Sequence, residues 1–321
     1  MIGKLERNWI PPPHGLYISD SRWSSSSSKR WKQRQTSDSF AREAKVQGLK
    51  SRAAFKLIEI DAKYKIFKKG QTVVDLGYAP GSWSQVAVER TKPRGRIVGI
   101  DIIPAQPPKG VSTIQGNFLS VEVQEQVKRF LSDPDRGRPK QELFASSDTD
   151  GSPETEGAIS YIEQEQHDID DVQGNTERTP PNEKGQKLED DRRIVDIVLS
   201  DMSEPWEQTT GFWKKSLSNP HIRMMNTTGI NFKDHAGSMD LCNAALRFSV
   251  DTVRNGGHFV CKFYQGSEEK HFEQKLKKLF AAVYREKPDS SRKESKEAYF
   301  VALRRKKDVA MEDVFGTDNI T

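Results

Sequence analysis

The stretch Thr72-Val73-Val74-Asp75-Leu76-Gly77-Tyr78-Ala79-Pro80-Gly81-Ser82-Trp83 constrains this 321-residue chain more than any other. Its apolar run ending in Asp75 reads as a buried parallel strand. Gly77, Pro80 and Gly81 force a tight turn, and residues 82–90 read as a helix. Strand, glycine-rich turn and helix make the first half of a nucleotide-binding βαβ unit, in which small residues let a ligand approach the backbone. Residues 96–101 supply a second strand that also ends in an acid, Asp101, placed to accept both hydroxyls of a ribose. The turn is not G-x-G-x-x-G, and no G-x-x-x-x-G-K-[ST] occurs, which argues against a dinucleotide or a triphosphate. S-adenosylmethionine is the remaining common ligand of this architecture.

Strands are expected again at 111–114, 194–201, 258–263, 282–284 and 298–303. Helices are expected at 121–131, 239–253 and 268–281, and residues 41–69 read as helical. Alternation of this kind implies an α/β fold, a doubly wound, mostly parallel sheet. Residues 132–192 lose all periodicity and read as an acidic disordered insert within a domain of residues 41–306, with 307–321 as a flexible tail. Residues 133–191 hold 17 acids and 6 bases, so the rest of the chain carries 29 acids against 45 bases behind a net charge of only +5. A basic body with an acidic insert suits a polyanionic partner. Residues 1–40 are basic and Ser-rich, compatible with a mitochondrial presequence or with an RNA-binding arm.

The low mean hydropathy of −0.77 is further reason to expect unstructured segments, and no stretch has the length or apolarity of a membrane span. Cys242 and Cys261 lie on apolar segments without metal spacing and read as reduced core residues. The six histidines show no ligand spacing, so no metal is expected.

Four charged residues resist a purely structural reading. Asp201 ends a buried strand at the sheet's carboxyl edge, and Lys262 lies inside the apolar run Phe259-Val260-Cys261-Lys262-Phe263. Lys56 sits in the helical segment Ala53-Ala54-Phe55-Lys56-Leu57-Ile58, and Glu297 immediately precedes the last strand. In chain order, Ser51-Arg52-Ala53-Ala54-Phe55-Lys56-Leu57, Asp75-Leu76-Gly77-x-Ala79-Pro80-Gly81-x-Trp83-Ser84-Gln85, Ser200-Asp201-Met202, Lys262-x-x-Gln265-Gly266 and Lys287-Pro288-Asp289-Ser290-Ser291-Arg292 resemble the FtsJ/RrmJ family of RNA ribose 2′-O-methyltransferases. The resemblance covers residues 48–131 and 193–305. It is strongest toward the mitochondrial large-subunit rRNA uridine 2′-O-methyltransferases.

The resemblance implies a Rossmann-like S-adenosylmethionine-dependent methyltransferase fold and a Lys-Asp-Lys-Glu catalytic tetrad at Lys56, Asp201, Lys262 and Glu297. With the turn residues it implies cofactor contacts at Asp75, Gly77, Pro80, Gly81, Ser82, Trp83, Asp101, Asn117 and Asp201. Asn117 stands where the family often has Asp, and Ser203-Glu204-Pro205-Trp206 replaces a more usual small residue, Pro and Asn. A ribose hydroxyl must lose its proton as it attacks, so a base that works near neutrality is required. A lysine beside a second lysine in a partly desolvated site meets that need, and Lys262 is the expected base. The donor carries its own positive charge, so no metal is called for. The expected substrate is large-subunit rRNA or a ribosomal subunit precursor, met by a monomer in the mitochondrial matrix. The alternatives are the same chemistry on tRNA or nuclear rRNA in the cytoplasm or nucleolus, and an rRNA-binding assembly factor with secondary activity.

Overall fold

A computed structural model describes residues 38–139, 193–204, 206–207, 224–225 and 227–316. The N-terminal arm up to residue 37 and the acidic segment 140–192 lie outside the described residues.

Nine strands and seven helices are described. In chain order the first are α1 (Ser39–Val46), α2 (Ala53–Tyr64), β1 (Thr72–Leu76), α3 (Ser82–Thr91), β2 (Arg96–Asp101), β3 (Val111–Gln115) and α4 (Val121–Ser132). Next come β4 (Val195–Ser200), the short strands β5 (Trp206–Glu207) and β6 (Met224–Met225), α5 (Asn231–Thr252) and β7 (Val253–Tyr264). The chain closes with α6 (Glu269–Leu279), β8 (Phe280–Glu286), β9 (Glu297–Arg305) and α7 (Met311–Phe315).

Seven strands form one sheet in the order β3-β2-β1-β4-β7-β9-β8. β1, β2, β3, β4 and β7 pair in parallel, and β9 is antiparallel to both β7 and β8. The expected doubly wound, mostly parallel sheet is therefore present, with β9 as its one reversed strand. β1 and β4 are buried along their whole length, because helices cover both faces of the sheet. On one face Val74, Leu76, Val98 and Ile100 pack with Phe248 and Phe272 from α5 and α6. On the other, Val73, Ile97 and Ile197 pack with Leu57, Trp83 and Val86 from α2 and α3.

Several boundaries differ from the sequence reading, among them the start of β7, which begins at Val253 rather than at 258. Residues 41–69 hold two helices, which part at Gly48 where φ is +68°, and α1 already begins at Ser39. α5 starts eight residues before the expected position. Its first turns bury Asp234, His235 and Ser238, which apolar periodicity does not count. Residues 133–139 belong to the domain, since the Arg138 guanidinium donates to Gly70 O at 3.0 Å, Arg94 O at 2.7 Å and Thr72 Oγ1 at 3.2 Å. The tail is ordered through α7: Val314 and Phe315 are buried, and the Arg247 guanidinium lies 4.4 Å from the Phe315 ring centre. Residues 317–321 lie outside the described residues. Cys242 and Cys261 are buried free thiols, and burial raises the Cys261 thiol well above its ordinary value.

Candidate active site

The strand order reverses between β1 and β4, so the carboxyl ends of these strands open side by side, the place where open α/β sheets bind ligands. A cavity of about 340 Å³ lies at this edge. Six of the expected site residues line it: Gly77, Pro80, Asp101, Asn117, Asp201 and Lys262. Ile100, Ile102, Phe118, Leu119 and Met202 give it apolar walls.

Backbone constraints shape the cavity. Gly77 has φ +75°, and a Cβ there would stand 2.8 Å from the Met202 Cα, so glycine lets the turn after β1 meet the loop after β4. The Asp101 carboxylate is fixed by the turn after β1 and by its own strand end, accepting from Ala79 N and Ile103 N respectively, each at 2.9 Å. Burial raises this carboxyl above the ordinary range, against the pull of those N–H groups and of Lys262. Asn117 accepts from Leu119 N through Oδ1 at 3.0 Å, which leaves its NH₂ group to the cavity.

Asp75, Gly81, Ser82 and Trp83 do not line the cavity; they support it from behind. Gly81, at φ +103°, opens α3, and a Cβ there would stand 2.7 Å from Pro108. The Ser82 hydroxyl lies 2.6 Å from that of Ser51, and Trp83 Nε1 donates to Ala53 O at 2.9 Å. These two contacts fasten α3 to the start of α2 and to Ser51 just before it, and Lys56 follows in that helix. Asp75 is fully buried at 0% exposure, accepting from Ser84 Oγ at 2.6 Å on Oδ2 and lacking a partner on Oδ1. Burial pushes its carboxyl up to about 7, and the charges of Asp201 and Asp101 push the same way.

The four expected catalytic residues form two ion pairs. Lys56 Nζ lies 2.6 Å from Glu297 Oε1, and Lys262 Nζ lies 3.2 Å from Asp201 Oδ1. Lys262 Nζ also donates to Asp201 O at 2.7 Å and Ser203 Oγ at 2.6 Å. Three polar groups thus hold this amine where the apolar strand β7 delivers it. The Tyr299 hydroxyl stands between the pairs, 3.0 Å from Glu297 Oε1 and 3.5 Å from Asp201 Oδ1. Burial works to raise the Glu297 carboxyl, but Lys56 and Lys262, with hydrogen bonds from Lys56 and Tyr299, hold it below its ordinary value. Burial and the two neighbouring carboxylates raise the Tyr299 phenol well above its ordinary value, so it remains a donor.

Three contributors have no site role in the sequence reading, although two of them lie in its quoted motifs: Tyr299, Ser203 and Ser291, whose hydroxyl donates to Glu297 Oε1 at 3.0 Å. Tyr299 reads as core in an apolar strand, and only its alternation with Glu297 two residues earlier puts both side chains on one face. Gly266 has a packing reason as well: a Cβ there would run into the His235 ring. Among the described residues no cluster of three or more His, Cys, Asp or Glu could hold a metal ion, and no helix is long and apolar enough to cross a membrane.

Comparisons with known proteins identify the family. The chain is 41% identical over 305 residues to the mitochondrial rRNA methyltransferase 2 of Saccharomyces cerevisiae, covering 92% of each chain. It is 33% identical to the protein of the same name in Schizosaccharomyces pombe, covering 86% of this chain and 95% of that one. It is also 33% identical to the ribosomal RNA large subunit methyltransferase E of Paramagnetospirillum magneticum, covering 86% and 82%. The model of the FtsJ-like methyltransferases matches residues 49–305, which include every residue of both ion pairs and of the cavity wall. With that match added to the sheet order and the cavity at its switch point, the chain belongs to the FtsJ-like methyltransferase family.

Proposed function

We propose that this chain methylates a ribose 2′-hydroxyl of mitochondrial large-subunit rRNA, using S-adenosylmethionine. The observation that carries the reading is the pair of lysine–carboxylate bridges, joined through Tyr299 at the rim of the cavity. The two yeast relatives, named as mitochondrial rRNA methyltransferases, support the target. The excess of bases outside residues 133–191 supports a nucleic-acid partner.

The cavity fits the cofactor. Its floor at Gly77 is bare backbone, where a Cβ would meet Met202, and its walls combine apolar side chains with the carboxylates of Asp101, Asp201 and Glu204, the Lys262 nitrogen and the Asn117 amide. Asp101 would hold the cofactor's ribose hydroxyls and Asn117 its adenine edge. Bound there, S-adenosylmethionine supplies a methyl group made electrophilic by a sulfonium.

The remaining work falls to the chain's own residues. Once Lys262 Nζ has given up one of its three present bonds together with the proton that makes it, its lone pair takes the proton of the attacking hydroxyl. Asp201 and Ser203 keep that nitrogen in line, and Asp201 stabilises the ammonium that forms. Glu297 holds Lys56, whose charge steadies the RNA ribose or its phosphate.

Transfer of label from S-adenosylmethionine to rRNA fragments tests this reading directly. The labelled nucleotide should resist alkaline cleavage on its 3′ side, and Lys262→Ala should abolish transfer with cofactor affinity preserved. Label placed on a base, or substantial turnover by Lys262→Ala, would refute it.

A further inference from the structure

A second cavity, of about 280 Å³, lies beyond the catalytic groups at the same edge of the sheet. Tyr264 lines it; this residue follows Lys262 by two positions on β7 and faces Glu297 in the β7–β9 register. Gln265 then bonds through its backbone N to Lys296 O at 3.0 Å, so the cavity begins where the tetrad ends. We propose that this cavity receives the base of the nucleotide whose ribose is methylated, and that the side-chain amides of Asn231 and Gln265 read its edge. The inference rests on the RNA ribose reading given above.

Covalent geometry supports the placement. The base is joined to C1′, the carbon next to the one that bears the 2′-hydroxyl, so a hydroxyl held at Lys262 puts the base within one residue's reach. The volume falls just under the range of about 300 to 1,000 Å³ usual for ligand pockets, which suits a single heterocycle.

The charge balance favours a base over a phosphate. Arg292 and Lys296 are offset by Asp234 and Glu294. Asp234 is occupied, accepting from Thr228 N at 2.6 Å, Thr228 Oγ1 at 2.8 Å and Gly229 N at 3.2 Å, and Arg292 is held by Asp38 at 3.2 Å. Neither the Asn231 nor the Gln265 amide is spent on a hydrogen bond among the described residues, and each offers both a donor and an acceptor.

The walls are also fixed in advance. His235 Nδ1 donates to Tyr264 O at 2.7 Å, and its Nε2 accepts from Glu268 N at 3.0 Å. One ring therefore clamps the start of α5 to both ends of the loop that carries Gln265.

The test compares wild type with the Asn231→Ala/Gln265→Ala double variant on rRNA fragments that differ only in the acceptor base. The acceptor position is first mapped with wild-type enzyme. Wild type should prefer the native base, and the double variant should lose about tenfold of that preference, the order expected for polar contacts to a base edge. Cofactor affinity by calorimetry and the Tm should match wild type, since Asn231 is exposed and Gln265 half-buried. Undiminished preference in the double variant, or a wild type indifferent to the base, would overturn the inference while leaving the methyltransferase reading in place. A wild type that methylates no rRNA ribose would remove both.

Discussion

Replacing Asp75 with Asn should change the pH dependence of stability more than stability itself. The folded chain holds the Asp75 proton until about pH 7, whereas an ordinary aspartate releases it near 3.8. Between those values the native state binds more protons than the unfolded state, so stability must fall as pH rises. One pH unit of differential binding corresponds to about 1.4 kcal/mol, so Asp75 should remove roughly 2 to 3 kcal/mol between pH 5 and pH 8. Asn keeps the shape and an acceptor for Ser84 but cannot ionise. Placing an amide NH₂ at the unpartnered Oδ1 position adds a penalty of about 1 to 3 kcal/mol that does not vary with pH. Urea unfolding of both proteins at pH 5, 6, 7 and 8 separates the two effects. The stability of wild type minus that of the variant should decline steadily across this range. Parallel pH profiles would show that Asp75 titrates normally despite its burial beside Asp101 and Asp201, and would refute the reasoning.

Tyr299→Phe deletes the hydroxyl between Glu297 and Asp201. It should lower kcat about tenfold with cofactor affinity unchanged, and stability by about 1 kcal/mol, read by methyl-transfer kinetics and thermal unfolding. Gly77→Ala meets the Met202 backbone at a positive φ and should weaken cofactor binding by more than tenfold in calorimetry, with a stability loss of about 1 to 3 kcal/mol. Phe315→Ala should destabilise the domain by about 3 kcal/mol in urea unfolding, a cost that an unpacked tail would not impose.

Much of this molecule is legible in its sequence because fully buried parallel strands are uninterrupted apolar runs. β1 and β4 each end such a run at the functional edge, so the apolar pattern by itself assigns Gly77 and Asp201 to that edge. Lys262 stands out for the same reason, as a charge inside an apolar strand. What periodicity cannot register is burial of polar groups satisfied from a distance. The first turns of α5 bury Asp234, His235 and Ser238, whose partners include Thr228, Tyr264 and Glu268. Adjacency to a motif is likewise a poor guide to direction. Trp83 follows the glycine turn, yet its indole N–H reaches back to Ala53 and its ring packs in the core. Tyr299 presents the opposite case, a buried aromatic that sequence assigns to packing and whose hydroxyl links the carboxylates of Glu297 and Asp201. The short helix α7 left no periodic signal, because five residues cannot complete a second turn.

The most direct measurement is a ribose-methylation map of mitochondrial large-subunit rRNA from cells lacking this protein, complemented with wild type or with Lys262→Ala. The expected result is one 2′-O-methyl mark that disappears on deletion, returns with wild type and stays absent with the variant. A map unchanged by deletion, or a mark restored by Lys262→Ala, would contradict the central claim that these two lysine–carboxylate pairs carry out ribose methylation of that RNA.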